Sequence, residues 1–146
     1  METKPDLKLK ISEHKLQSSL FEYVILILPS LRPYIFAIPN GGHRNIVVAK
    51  KLKAEGVTRG IPDIFLCIPN GRGKHGLFIE CKVNRNSLTN EQSKFKDMIR
   101  RIGFEFKVCK NLEDFEEIIK SYFQVHKLND LIIQAKLKKF INDFAN

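Results

Sequence analysis

The sequence predicts an α/β protein in which a central mixed β-sheet is flanked by helices and followed by a C-terminal helical extension. Three observations carry that expectation. Hydrophobic periodicity switches between helical and strand spacing in the order α, β, α, β, β, α, β, α. The stretch from Gly60 to Lys82 places two apolar, β-branched and aromatic runs around a glycine-rich loop. Beyond residue 124 the pattern becomes purely helical and stands apart from the α/β alternation.

Taken in order, Ser12 suits the N-cap of a helix whose apolar positions Leu16, Leu20, Phe21, Val24 and Ile27 recur at helical spacing until Pro29 ends it. Tyr34 to Ile38 is a short strand. Pro39-Asn40-Gly41-Gly42 then forms a turn that leads to His43, Arg44 and Asn45. Val47 to Gly56 reads as a helix with Val48 and Leu52 on its apolar face and Lys50, Lys51 and Lys53 on its basic face.

Asp63 to Ile68 and Leu77 to Val83 are the arms of a hairpin, with Asn70-Gly71, Gly73 and Gly76 supplying turn chemistry. Thr89-Asn90-Glu91-Gln92 has the form of a capping box that opens a helix through Phe95, Met98, Ile99 and Ile102 to Gly103. Phe104 to Cys109 alternates as a strand, Leu112 to Phe123 forms a helix, and Val125 to Asn146 is a last amphipathic helix. The division is therefore 1–123 for the α/β unit and 124–146 for the extension. The pattern leaves open whether the extension covers the core or packs on a second subunit.

At 146 residues, 43% hydrophobic and 28% charged, the chain has the size and composition of one globular domain and does not suggest disorder. Its longest apolar run, Tyr23 to Leu28, falls far short of the roughly 20 residues of a membrane span. The polar, charged N-terminus does not read as a signal peptide. Cys67, Cys81 and Cys109 sit in strand-like runs without zinc or disulfide spacing, as expected of reduced core thiols in a cytoplasmic protein.

The formal charge of +9 points to a polyanionic partner. Gly56 to Lys110 carries eleven Lys or Arg against five acids, whereas Asn111 to Asn146 carries five against six, so the excess gathers around the hairpin. His43 and Arg44 after the glycine turn, Lys50 and Lys51 on the second helix, and Arg72 and Lys74 in the hairpin loop are the candidate phosphate contacts, with Asn40 in the turn beside them.

Within the hairpin, strand alternation puts Phe78, Glu80 and Lys82 on one face and Leu77, Ile79, Cys81 and Val83 on the other. Pairing of the arms brings Asp63 toward Glu80. Two carboxylates and one ammonium in apolar surroundings are costly unless a cation neutralises them, and hard oxygen donors suit Mg²⁺ or Mn²⁺. As residues alone, Glu13 suits the dipole of the first helix and Gln92 suits its capping box, and neither position demands a function.

Ile61-Pro62-Asp63, followed by Ile79-Glu80-Cys81-Lys82 on the next strand, resembles the signature of the PD-(D/E)XK nuclease superfamily. The wider pattern resembles its VRR-NUC branch: Glu13 and Gln17, Pro39-Asn40-Gly41-Gly42, Lys50 to Gly56 running into Gly60-Ile61-Pro62-Asp63, and Leu88 to Gln92. The likeness spans roughly Ser12 to Phe123. It implies a restriction-endonuclease-like core and a metal-dependent endonuclease hydrolysing DNA phosphodiester bonds, selective for four-way junctions, flaps or other branched DNA.

The same resemblance implies that Asp63, Glu80 and the main-chain carbonyl of Cys81 hold Mg²⁺ or Mn²⁺, with Glu13 in an outer shell or on a second ion. Lys82 would orient water or stabilise the transition state, and Gln92 would contact the site. Likeness to standalone phage and bacterial members implies a homodimer in the cytoplasm of a bacterial or phage-infected cell, serving repair, recombination or phage replication. Two rival readings are a non-catalytic nucleic-acid-binding module and an interaction protein that docks an acidic partner through its last helix.

Overall fold

The computed structural model describes residues 11–39 and 45–145. Helix α1 (Glu13–Ile27) starts at Ser12, whose hydroxyl accepts from the Lys15 N–H at 3.1 Å. Pro29, which lacks a donor, ends the α-helical ladder as expected and opens a 3-10 turn, Pro29–Tyr34, which takes in Tyr34, expected as the first residue of the strand. That turn delivers the chain into β1 (Ile35–Ala37).

Helix α2 (Ile46–Ala54) is capped by Asn45, whose side-chain oxygen accepts from the Val48 N–H at 2.8 Å. It starts and ends slightly earlier than its periodicity suggests. Its expected apolar face finds little to pack on: no residue of α2 is buried, and Ile46 and Val47 are 74% and 76% exposed.

Strands β2 (Ile64–Leu66) and β3 (Leu77–Cys81) form the hairpin. Its arms are shorter than expected, and its connection is a wide loop in place of a tight turn. Asn70 Oδ1 accepts from the backbone N–H groups of Arg72 at 2.8 Å and Lys74 at 3.1 Å, while Asn70 N–H donates to the Lys74 carbonyl. Helix α3 (Asn90–Arg101) then crosses over to β4 (Glu105–Cys109), which lies parallel to β3, and α4 (Leu112–Phe123) returns beneath the sheet.

The sheet order is β1-β2-β3-β4, antiparallel across the first two junctions and parallel at the last, a mixed sheet as expected. Its two faces differ. Ile35, Ile64, Leu66, Leu77, Ile79, Cys81 and Cys109 join Leu16, Leu20 and Val24 of α1 and Phe115 and Ile119 of α4 in an aliphatic core. On the α3 side the contacts are aromatic: Phe78 stacks on Phe65 at 4.4 Å and meets Phe95 edge-on at 5.3 Å, and Phe65 meets Phe36. Cys81 and Cys109 are buried as expected, but Cys67 is exposed, because it lies just beyond β2.

The last helix is shorter than expected. Gln124 caps α4 in the left-handed conformation, and α5 (Asp130–Ala145) begins only after Asn129, whose side-chain oxygen accepts from the Ile132 N–H at 3.0 Å. Asp130 is its anchor: one carboxylate oxygen accepts from the Ser30 N–H at 2.8 Å and the other from the Ser30 hydroxyl at 2.7 Å. Ile133 and Leu137 enter the same core cluster as α1 and α4. Among the described residues no helix is long and apolar enough to cross a membrane.

Because Ile133 is fully buried in that shared core, Ile133→Ala is expected to destabilise the whole molecule by about 2–5 kcal/mol. Urea unfolding followed at once by circular dichroism and tyrosine fluorescence should show one transition at a lower midpoint. Two separate transitions would show that α5 folds independently of the sheet.

Candidate nuclease-like active site

The hairpin register builds the site. Ile64 pairs with Ile79, so Asp63 and Glu80 stand opposite one another at the end of the sheet away from the loop. Asp63 is fixed at backbone level, since its carbonyl accepts from the Ile38 N–H at 2.7 Å while its Oδ2 accepts from the Cys81 N–H at 2.8 Å. Lys82 continues the parallel ladder by donating its N–H to the Cys109 carbonyl. Alternation then returns its side chain to the face of Glu80, and the ammonium lies 3.7 Å from Glu80 Oε1.

Glu80 and Lys82 are the buried charged residues of the described chain, 3% and 8% exposed. Gln92 completes the cluster. Its backbone N–H donates to the Thr89 hydroxyl at 3.2 Å and its Oε1 accepts from the Thr89 N–H at 2.9 Å, which closes the capping box of α3. The same side chain donates from Nε2 to Glu80 Oε1 at 2.8 Å. Capping and site contact are therefore one arrangement, in which the helix cap aims the amide at the carboxylate.

Glu80 Oε1 is well supplied, but Glu80 Oε2 is buried and finds no hydrogen-bond partner among the described residues. Burial pushes the Glu80 carboxyl up to about 8, and the negative charge of Asp63 adds to the rise, with a smaller push from Glu13, while Lys82 opposes it. The Cys81 thiol is pushed up by the same burial and by Asp63, so it has no thiolate character.

Glu13 sits at the first position of α1, half-buried, and its Oε1 accepts from Asn86 Nδ2 at 3.4 Å. It acts on Glu80 through its field without joining the carboxylate pair. No set of three His, Cys, Asp or Glu side chains gathers in metal-binding geometry among the described residues. The donor set nevertheless suits a hard divalent cation, since a buried carboxylate oxygen with no hydrogen-bond partner stands beside a second carboxylate, and the one ammonium nearby lies against the other oxygen.

Lys50 and Lys51 are exposed on α2. Arg72 and Lys74 sit in the loop at the other end of the hairpin, so the structure does not bring them to the carboxylates. The His75 ring packs edge-on against Phe104. Asn40, His43 and Arg44 lie outside the described residues. Asn86 was not anticipated; the polar run Asn84 to Leu88 reads as a mere connection, and its one local signal is an Asn-rich turn, realised here with Asn84 at φ 57°.

The sequence profile of the VRR-NUC domain matches residues 28–111, more than half of the chain. The chain belongs to the VRR-NUC domain family. A solved VRR_NUC domain protein superimposes with a TM-score of 0.65 at 26% identity, covering 82% of this chain and 94% of that one. No functionally curated protein matches the sequence significantly. The VRR-NUC match contains Asp63, Glu80, Lys82 and Gln92 but neither Glu13 nor α5. The fold is thus that of a nuclease-like domain, with a four-stranded mixed sheet between helices and a C-terminal helix.

Gly60 holds the two halves of this VRR-NUC site together. Its φ of +85° belongs to the left-handed region, and an added Cβ would stand 2.8 Å from Glu91 Cβ and 2.9 Å from the Glu91 carbonyl carbon. The backbone leading into Ile61-Pro62-Asp63 can pass this close to the start of α3 only because that space is empty. Gly60→Ala is expected to cost about 2–5 kcal/mol of stability, measurable as a lower urea midpoint, because the added methyl must push the backbone away from the start of α3.

The raised Glu80 carboxyl also sets a pH dependence. The folded protein binds more protons than the unfolded chain between the ordinary carboxylate range and about pH 8, so stability falls as pH rises through that window. Thermal melting of the metal-free protein should therefore decline from pH 5 to pH 8. Glu80→Gln, which stays neutral, should flatten the decline.

Proposed function

We propose that this chain is a divalent-metal-dependent endodeoxyribonuclease that hydrolyses DNA phosphodiester bonds. The single observation carrying the reading is the buried cluster in which Glu80 Oε2 lacks a partner, Asp63 faces it across the hairpin, and the Lys82 ammonium lies 3.7 Å from Glu80 Oε1. Such a cluster weakens the fold unless a ligand neutralises it, which is the signature of a site kept for chemistry.

Asp63 and Glu80 would hold Mg²⁺ or Mn²⁺, with the main-chain carbonyl of Cys81 beside them and Glu13 further out. When bound, the cation supplies charge neutralisation at the phosphate and a water acidic enough to attack near neutral pH. The chain's own residues do the rest. Gln92 holds the Glu80 carboxylate in one orientation through its amide. Lys82, a compact cation with rotatable donors, stabilises the negative charge that grows on the phosphoryl oxygens and orients the attacking water.

Selectivity for four-way junctions, flaps or other branched DNA rests on the family resemblance. Homodimerisation is supported by the exposed Ile46 and Val47 on a helix that buries none of its residues. Asn40, His43, Arg44, Lys50 and Lys51 would contact phosphates flanking the cut.

The deciding experiment incubates labelled duplex, flap and four-way-junction DNA with Mg²⁺ or Mn²⁺. Wild type should cut, chelation should stop it, and Lys82→Ala should lower the rate by about 10²-fold or more while DNA binding persists. Gln92→Ala should cost about tenfold, because the carboxylate remains but loses its orientation. If wild type binds every substrate and cuts none under either metal, the chain is a nucleic-acid-binding module and the catalytic roles fall.

A further inference from the structure

At the end of the sheet remote from the carboxylates, a cavity of about 240 Å³ opens between the hairpin loop, β4 and α4. Arg72, Lys74 and Lys107 line it, together with the Ser121 hydroxyl. Lys74 and Lys107 are half-buried, yet none of the three cations forms a salt bridge among the described residues. The loop carrying two of them is fixed, since Asn70 Oδ1 accepts from the N–H groups of both Arg72 and Lys74.

The one carboxylate in the cavity wall is already engaged. Glu105 Oε1 accepts from the Phe106 N–H at 2.8 Å and lies 3.4 Å from Arg100 Nε. Tyr122 is committed as well, donating its hydroxyl to the Ile68 carbonyl. Three cations against a single carboxylate, whose Oε1 is already engaged, in a space below the roughly 300 Å³ of an organic-ligand pocket, match a small, multiply charged anion. Register places Lys107 beside Ile79 and Glu105 beside Leu77, on the face of the sheet opposite Glu80. The cavity shares no residue with the carboxylate cluster.

We propose that this cavity is a phosphate-binding subsite, occupied by a backbone phosphate of bound DNA or by the phosphate of a free phosphoryl compound. Arg72 and Lys74 then serve at a distance from the cut, about 10 Å along β3 from Leu77 to Glu80 and on the other face. The proposal does not depend on whether the carboxylate cluster hydrolyses anything.

The test uses the full chain, isotope-labelled and free of metal, titrated with pyrophosphate and followed by amide chemical shifts. The amides of Lys74, Lys107 and Ser121 are expected to shift saturably, and Lys74→Gln with Lys107→Gln should weaken that binding by about tenfold or more. Arg72→Gln, on the exposed loop where folding is not at stake, should weaken it in the same direction. Duplex binding by fluorescence anisotropy with chelator present then separates the sources. A parallel loss of duplex affinity, with the salt slope reduced by about one, identifies the DNA backbone. Lost pyrophosphate binding with undiminished duplex affinity identifies a free phosphoryl compound. Absence of saturable shifts, or shifts that persist unchanged in both the double variant and Arg72→Gln, overturns the proposal.

Discussion

The pairing of Ile64 with Ile79 is the constraint on which this site depends. It sets Asp63 opposite Glu80, and the next two residues, Cys81 at the end of β3 and Lys82 just beyond it, add the backbone donor that fixes Asp63 and the ammonium that faces Glu80. A slip of one residue would turn Glu80 and Lys82 into the aliphatic core and lift Ile79 and Cys81 toward the site. The apolar face of β3 therefore enforces the position of the charges. Leu77, Ile79 and Cys81, all fully buried, allow one register only.

The two faces of the sheet divide the labour. The aliphatic face, closed by α1, α4 and α5, supplies most of the burial that holds the molecule together. The aromatic face receives α3, and through it the capping box that presents Gln92 to Glu80. Because the Thr89 cap and the Glu80 contact use different atoms of the Gln92 side chain, helix initiation and site geometry are fixed together. Gly60 is the matching constraint ahead of the other strand, where absence of a side chain lets the backbone pass against Glu91 at the start of the same helix.

The positive charge follows the same division. Lys82 is buried with the carboxylates, while Arg72, Lys74 and Lys107 gather around a separate cavity at the far end of β3. A basic hairpin in the sequence is thus two basic places in space, because the strands that join them point their alternate residues to opposite faces.

The order of elements, the mixed sheet and the membership of Asp63, Glu80 and Lys82 in one cluster are all legible in the sequence, since strand alternation and the turn residues are local signals. Likewise Ser12 and Thr89 announce their helices, because a cap needs only the three residues that follow it. What tertiary structure alone decided concerns surroundings. The exposure of α2 was invisible, because periodicity shows an apolar face but not whether anything covers it. The break between α4 and α5 hangs on Asn129 and on Asp130 reaching Ser30, a hundred residues away. The orphaned oxygen of Glu80, the reach of Gln92 and the separation of Arg72 and Lys74 from the carboxylates are all distances between chain-remote atoms. Alternation along the chain settles which groups can meet on one face of one strand; only the packed fold determines which of them lose water, and that loss is the main cause of the raised Glu80 carboxyl.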